Sequence, residues 1–458
     1  MKAIINTLFV LITINVSAQI TFTKTFGETG DDYPSCVIQT SDNGYAITGG
    51  IEINSQQDVY LIKTNLYGDT LWTKTYGGNQ HDRASSIIQT SDGGYFLLGQ
   101  TLSFGNNLGS FYLIKTNSSG DTVWTNTYSG LSGRKIIKCY DNNYLLFGDS
   151  NSTTFSIKLI KIDPNGNVIW QKTFNNQGSK DYGDIQETPD NGFIVGAVSN
   201  YDMFLLKVNS TGDSLWSKTY GGSSSDYVAS LTLLNDNNYL LAGHSWSYGP
   251  TSQILLIKTN TVGDTIWTKK IQGNSDLYIS SVKENNINEF YMIGETNDNG
   301  NEDILLMKCN SLGDTLFSKK FGGVQDDSGK SIALTSDNGI VLLGSTKSFG
   351  NGLTDYYFIK LDSTSITSNV SLYINESKNN FFVFPNPMTK SSILRFDYIS
   401  GNKYAFKLFD IYGELIEQSN QVNNGYIRID RANKQIGMYL FRVELENEII
   451  VQGKILME

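Results

Sequence analysis

The sequence predicts an all-β chain: a seven-bladed β-propeller of four-stranded blades, followed by a small β-sandwich. Two observations carry that expectation. A phrase of about eight residues recurs at intervals near ~50 residues, and each interval holds four short apolar runs separated by turn signals. No run is long enough, or spaced at i, i+3, i+4, for a helix, which sets aside a helical solenoid of similar period.

The phrase reads Leu71-Trp72-Thr73-Lys74-Thr75-Tyr76-Gly77-Gly78 in one copy and Leu215-Trp216-Ser217-Lys218-Thr219-Tyr220-Gly221-Gly222 in another. It begins again at Val123, Ile169, Ile266 and Leu316, with a trimmed copy at Thr21. Its second position is always aromatic: Phe22, Trp72, Trp124, Trp170, Trp216, Trp267 and Phe317. In the second unit the strands read Ser86–Thr90, Tyr95–Gly99, Phe111–Thr116 and Val123–Tyr128. Ser91-Asp92-Gly93-Gly94 joins the first two, and Asn117-Ser118-Ser119-Gly120-Asp121 joins the last two; both are tight-turn signals. Phe96-Leu97-Leu98 and Leu113-Ile114 are apolar without alternation, as strands buried on both faces by radially stacked blades must be.

Chain order also predicts how the ring closes. The phrase is the last strand of its blade, so Thr21–Phe26 has no blade of its own, and the final unit ends at Tyr356–Leu361 without a fourth strand. The N-terminal strand is therefore expected to complete the last blade and leave no open sheet edge.

Whole-chain numbers bound the rest. The 458 residues are 39% hydrophobic and 12% aromatic, enough for a real core, and a net charge of −10 leaves no basic stripe for nucleic acid. Cys36, Cys139 and Cys309 fall at unmatched repeat positions, which reads as small core residues, not a disulfide framework. Met1-Lys2, the apolar run Ala3–Ile14 and Val16-Ser17-Ala18 form a signal peptide with a mature start at Gln19. The run is too short to span a bilayer, and no later segment is apolar enough to do so. The expected layout is residues 1–18 signal, 19–362 propeller, 363–380 linker and 381–458 C-terminal domain.

Two resemblances sharpen this layout. The Gly-Asp-Thr-Leu-Trp phrase preceded by Ile-Lys-Thr-Asn resembles the tryptophan-docking repeats of quinoprotein-like propellers, a likeness of structural positions that implies the fold and no cofactor. After the linker come Phe381–Pro387 with Pro385, Asn386 and Pro387, then Lys407–Gly413 with Asp410 and Gly413. Gly437–Val443 follows with Gly437 and Tyr439, and last comes Gly453–Leu456 with Lys454. This order looks like the type A sorting domain of type IX secretion in Bacteroidetes. It implies the type IX machinery as partner, a destination outside the outer membrane of a Gram-negative cell, and often removal of the domain and attachment to surface lipopolysaccharide. Alternation in Ile393–Phe396, Tyr404–Phe409 and Tyr439–Val443 reads as half-buried antiparallel strands of a sandwich.

No catalytic constellation stands out. Ser-Asp-Gly-Gly superficially resembles sialidase Asp boxes, but the propeller holds only Arg83 and Arg134, too few for bidentate recognition of a substrate carboxylate. The two histidines, His81 and His244, lie in different blades, and no Cys-x-x-Cys-His or Gly-x-Ser-x-Gly elbow is present, so neither metal nor cofactor is expected. Asp298–Asp303 is oxygen-rich without the spacing of a calcium loop. Recurring lysines (Lys63, Lys115, Lys161, Lys207, Lys258, Lys308, Lys360) and acids (Asp32, Asp82, Asp181, Asp226, Asp276, Asp326) read as structural, through inter-blade hydrogen bonds and ion pairs. Asp-Thr/Ser-apolar triplets at Thr70, Thr122, Ser214, Thr265 and Thr315 resemble Bacteroidetes O-glycosylation sites, while also being the hairpin turn of each blade.

In a four-stranded meander the long connections share one face of the ring, where recognition loops usually sit. His81, Arg83, Phe104, His244, Trp246, Tyr248 and Phe349 lie on that face and are the candidates to contact a glycan or protein. A non-enzymatic binding or adhesion module is the favoured reading. A carbohydrate-active hydrolase or lyase on the same face, and a scaffold without ligand, are the alternatives.

Overall fold

Seven four-stranded antiparallel sheets follow one another along the chain. The computed structural model describes residues 22–106, 108–150, 156–175, 183–297, 300–362, 381–384, 388–396, 403–410, 414–422, 426–445 and 448–457. The signal segment and linker expected from sequence, and Pro385, Asn386, Pro387, Gly413 and Asp181, lie outside these residues. The chain divides into two compact units, Met1–Thr367 and Ser368–Glu458.

Blade 1 runs Tyr33–Gln39, Tyr45–Ile53, Gln56–Thr64 and Thr70–Tyr76, and the later blades repeat this order. The first strand of each blade packs against the first strand of the next around the ring. Blade 7 is Asp327–Leu334, Ile340–Thr346 and Asp355–Leu361, and its outer strand is the N-terminal Phe22–Phe26, antiparallel to Asp355–Leu361 with Phe22 opposite Lys360. The closure expected from chain order is thus observed. Second and third strands are almost wholly buried (Tyr95–Thr101, Ser110–Thr116), whereas outer strands alternate exposed and half-buried.

The repeated phrase explains how blades adhere. Trp216 on the outer strand of blade 4 packs against Gly263 in the last turn of blade 5, whose φ of +80° favours glycine. A Cβ at Gly263 would sit 2.8 Å from the indole. The same docking recurs for Phe22 on Gly68, Trp72 on Gly120, Trp124 on Gly166, Trp170 on Gly212 and Trp267 on Gly313. Beside each indole, the outer-strand lysine reaches the aspartate of the neighbouring turn: Lys24–Asp69, Lys74–Asp121, Lys172–Asp213, Lys218–Asp264 and Lys269–Asp314, at 2.6–2.9 Å. Where blade 2 replaces the lysine by Asn126, blade 3 replaces the aspartate by Asn167, so both charges vanish together.

For the other recurring lysines the expected inter-blade pairing is corrected. Each pairs within its own blade with the acid of the first hairpin, as Lys115 does with Asp92 at 2.8 Å and Lys360 with Asp337 at 2.8 Å. Lys115 also donates to Thr90 Oγ1 and to the carbonyl of Thr116, so its ammonium is satisfied although buried. Burial works against the Asp92 carboxylate, but the bonds from Lys115, Thr90 and Gly94 prevail and hold its pKa at about 2. The nearest acid is simply the one across the hairpin.

The recurring acids need a register correction too. Asp32, Asp82 and Asp226 are buried at one repeat position, but blade 7 places Asp327 there and blade 6 Leu277, so Asp276 and Asp326 stand one residue away. Asp82 accepts from Gly78 N at 2.8 Å and Ser103 Oγ at 2.6 Å, tying two long-face connections together; Asp226 and Asp327 do the same through Ser247 and Ser348. Of the cysteines, Cys139 and Cys309 are buried as expected, with thiols pushed up by burial to about 12 and about 11, whereas Cys36 is only half-buried.

In the C-terminal unit a three-stranded sheet (Phe381–Phe384, Ser391–Phe396, Tyr426–Asp430) and a four-stranded sheet share one core. Leu394, Phe396 and Ile429 from the first meet Phe406, Leu408, Phe441 and Ile455 from the second, which is the sandwich expected from alternation.

Candidate binding site

The long-face candidates separate into two kinds. Phe104, Tyr248 and Phe349 hold equivalent places in blades 2, 5 and 7, each next to the serine that caps the buried aspartate and over the glycine of the preceding connection. Phe104 lies 5.5 Å from Tyr112 and Phe349 5.3 Å from Tyr357, centroid to centroid. Tyr248 donates to the Gly221 carbonyl at 3.0 Å and carries the Lys270 ammonium over its ring at 3.4 Å. These are latches of the repeat. His81 is similar in kind: its Nδ1 accepts from Gln57 N at 3.1 Å. Arg83 is exposed on the inner strand of blade 2, opposite Gln100.

His244 and Trp246 belong to a different arrangement. His244 pairs across the sheet with Tyr227, stacking at 5.1 Å and 26°, and meets Tyr278 of blade 6 edge-on at 4.9 Å. Trp246 approaches Tyr278 at 6.5 Å and keeps 37% of its surface exposed, while His244 keeps 4%. Burial drives the His244 pKa down to about 4 against the pull of Asp226, so the ring is neutral and serves as an aromatic plate. Tyr278 stands opposite Glu295, whose carboxylate accepts from Ser328 Oγ; Ser328 in turn accepts from Lys330 at 2.6 Å. The inner long-face rim of blades 5 to 7 therefore combines exposed aromatic surface with a carboxylate fixed in place.

Of the residues grouped at this rim, the sequence nominates His244 and Trp246 as candidates and does not single out Tyr227, Tyr278 or Glu295. The legible signal was departure from the repeat: a position held by Gln100 in blade 2 and Ser345 in blade 7 carries the histidine here. Thr70, Thr122, Ser214, Thr265 and Thr315 are all exposed, each beside an aspartate already engaged by the neighbouring blade's lysine. Among the described residues, no three His, Cys, Asp or Glu side chains converge as metal ligands, and no helix is long and apolar enough to cross a membrane.

Of the sorting motifs, Asp410 closes a turn by accepting from Glu414 N at 2.8 Å, Tyr439 is buried with its hydroxyl donating to the Gln435 carbonyl at 3.0 Å, Gly437 begins a strand, and Lys454 is exposed. The family model described as "Secretion system C-terminal sorting domain" matches residues 382–458. This segment is a type IX sorting domain. The sorting domain marks proteins exported by that system in Bacteroidetes to the cell surface or exterior, and the present chain is one of them.

No curated protein sequence matches the chain. Among solved structures it is similar to the WD40 β-propeller domain of Doa1, with TM-score 0.50 and 13% identity over 76% of this chain and 98% of that one. It is also similar to a fungal alcohol oxidase of the AA5 family in complex with copper, with TM-score 0.50 and 10% identity over 96% of this chain and all of the other. At these identities the likeness concerns the fold alone.

Proposed function

We propose that the mature chain is a surface-exposed or released recognition protein whose propeller binds glycan at the long-face rim of blades 5 and 6. In this reading the chain comprises a cleaved signal at residues 1–18, the propeller at 19–362, a linker at 363–380 and the sorting domain at 381–458. One observation carries the reading: the Tyr227–His244–Tyr278 stack with the half-open face of Trp246 departs from the repeat, so blade geometry does not require it. Aromatic faces pack against the C–H faces of a pyranose, and a fixed carboxylate such as Glu295 accepts from sugar hydroxyls. Phe104, Tyr248 and Phe349 act in this reading as supports and not as ligand contacts.

A glycan array and pulldown with the full chain, beside a Trp246→Ala, Tyr278→Ala variant, tests the proposal. Saturable binding lost in the folded variant supports the rim. Binding that survives the double substitution places recognition elsewhere, and a silent array with a folded protein favours a scaffold.

A further inference from the structure

On the face opposite the long connections, a clasp joins the first hairpins of neighbouring blades. The last residue of a blade's first strand accepts a backbone N–H from the preceding blade's hairpin. Gln39 accepts from Ser336, Gln89 from Ser41, Glu187 from Tyr140 and Glu284 from Asn235, at 2.6–2.8 Å. Elsewhere the clasp is missing. Lys138 in blade 3 has no acceptor to offer Ser91, and Leu233 in blade 5 meets Pro189, which has no N–H. In blade 7, Leu334 stands where an acceptor for Asn286 would be. At this last seam lies a cavity of about 350 Å³ lined by the first hairpins of blades 6 and 7.

The walls of the cavity include Ile287 and Tyr291 of blade 6 and Leu334 of blade 7. Tyr291 and Leu334 pack into one apolar cluster. Ile287 departs from the repeat. Asp42, Asp92, Asp141, Asp190, Asp236 and Asp337 hold its place in the other hairpins, so the turn does not need an apolar side chain there, yet Ile287 is 70% exposed. With that aspartate gone, Glu289 supplies the carboxylate for Lys308, at 2.8 Å. Desolvation works against the Lys308 ammonium, but its bonds to Glu289 and the Tyr291 hydroxyl prevail and raise its pKa, so the ion pair persists and is neutral as a unit. Glu289 Oε2 takes both Lys308 and the Asn285 amide, the latter at 2.9 Å, which leaves Oε1 without a donor among the described residues. The Asn286 N–H likewise has no acceptor among them. Asp337 on the facing hairpin is matched by Lys360 at 2.8 Å. The cavity thus offers apolar walls, a carboxylate oxygen able to accept, an N–H able to donate, and charges already balanced.

We propose that this seam between blades 6 and 7 binds a small neutral alcohol, whose hydroxyl donates to Glu289 and accepts from the Asn286 N–H while its apolar body packs against Ile287, Tyr291 and Leu334. The volume falls at the low end of the roughly 300–1,000 Å³ usual for small-molecule pockets, and apolar walls with a few placed polar groups are their usual lining. A cationic ligand would meet the Lys308 ammonium, and an anionic one the Glu289 carboxylate. This site lies on the opposite face from the aromatic rim and stands or falls independently of it.

Titration calorimetry on the full chain tests the proposal with cyclohexanol and p-cresol as probes, beside toluene, 4-methylbenzoate and 4-methylbenzylamine. At least one alcohol binds saturably and about tenfold or more tighter than toluene and both charged analogues, the worth of a hydrogen bond to a charged group. Leu334→Gln installs the clasp that blades 1 and 2 use, occupies the Asn286 N–H and weakens that binding by about tenfold or more, with the urea midpoint retained. Binding of cyclohexanol alone identifies an aliphatic alcohol, and of p-cresol alone a phenol. Toluene or a charged analogue binding as tightly, silence of both alcohols, or a folded Leu334→Gln protein that still binds within twofold would each overturn the assignment. If that variant does not fold, Ile287→Asp, which restores the residue of the other hairpins, takes its place with the same expected loss.

Discussion

Burial of His244 makes the stability of the propeller depend on pH. Its folded pKa of about 4 lies below the ordinary histidine value of 6.5, because burial between Tyr227 and Tyr278 disfavours the imidazolium more than Asp226 favours it. Between those values the unfolded chain binds a proton that the folded chain does not. Stability from this group is therefore complete above about 6.5 and falls as pH drops toward 4. A tenfold difference in proton affinity is worth about 1.4 kcal/mol, so the loss reaches roughly 2 kcal/mol at pH 5 and roughly 3 kcal/mol at pH 4. Asp32 opposes it: burial raises its carboxyl to about 6, which adds stability as pH falls through that value. The informative quantity is thus the difference between wild type and His244→Phe, which retains the aromatic plate and removes the titration. All six tryptophans lie in the propeller, so their fluorescence in urea follows that unit alone. The difference should shift by about 2 kcal/mol between pH 7.5 and pH 5 in favour of the variant. A difference independent of pH would show that His244 titrates normally and is not enclosed as described.

The inter-blade docking makes further predictions. Gly263→Ala forces a left-handed backbone onto a residue with a Cβ and drives that atom against Trp216, so a loss of about 2–4 kcal/mol in urea unfolding is expected; a loss below about 0.5 kcal/mol would refute the docking role. The Lys24–Asp69 pair is largely exposed and screened by solvent, and a double-mutant cycle with Lys24→Met and Asp69→Asn should give a coupling of about 0.2–1 kcal/mol; a coupling above about 2 kcal/mol would mean that the pair is shielded from water. Thr70→Val should change stability by no more than about 0.5 kcal/mol, because the turn uses Asp69 and leaves the Thr70 side chain exposed; a larger loss would make that hydroxyl structural.

The fold was legible because one period recurs along the chain: an aromatic, a glycine and a turn at fixed spacing specify docking, and a strand without a blade at the start together with a blade one strand short at the end specifies closure. Register was harder. Asp276 and Asp326 looked equivalent to Asp82, but strand pairing sets Leu277 opposite Thr296 and Asp327 opposite Thr346, as Asp82 is opposite Thr101. Lysine partners were misjudged because a sequence does not display which acid lies across a hairpin. The rim was half-legible: His244 and Trp246 stand out as rare residues, whereas Tyr227 and Tyr278 come from adjacent blades and look ordinary among 26 tyrosines.

The most direct test of the recognition reading compares two pairs of aromatic substitutions in the full chain, measuring glycan affinity and urea midpoint for each. Tyr227→Ala and Trp246→Ala alter the non-repeating stack; Phe104→Ala and Phe349→Ala alter repeated latches. A binding rim on blades 5 and 6 predicts at least tenfold loss of affinity in the first pair, and in the second pair a lowered midpoint with affinity retained by the folded fraction. The reverse result, with affinity lost through the latches and unchanged through the stack, would contradict it.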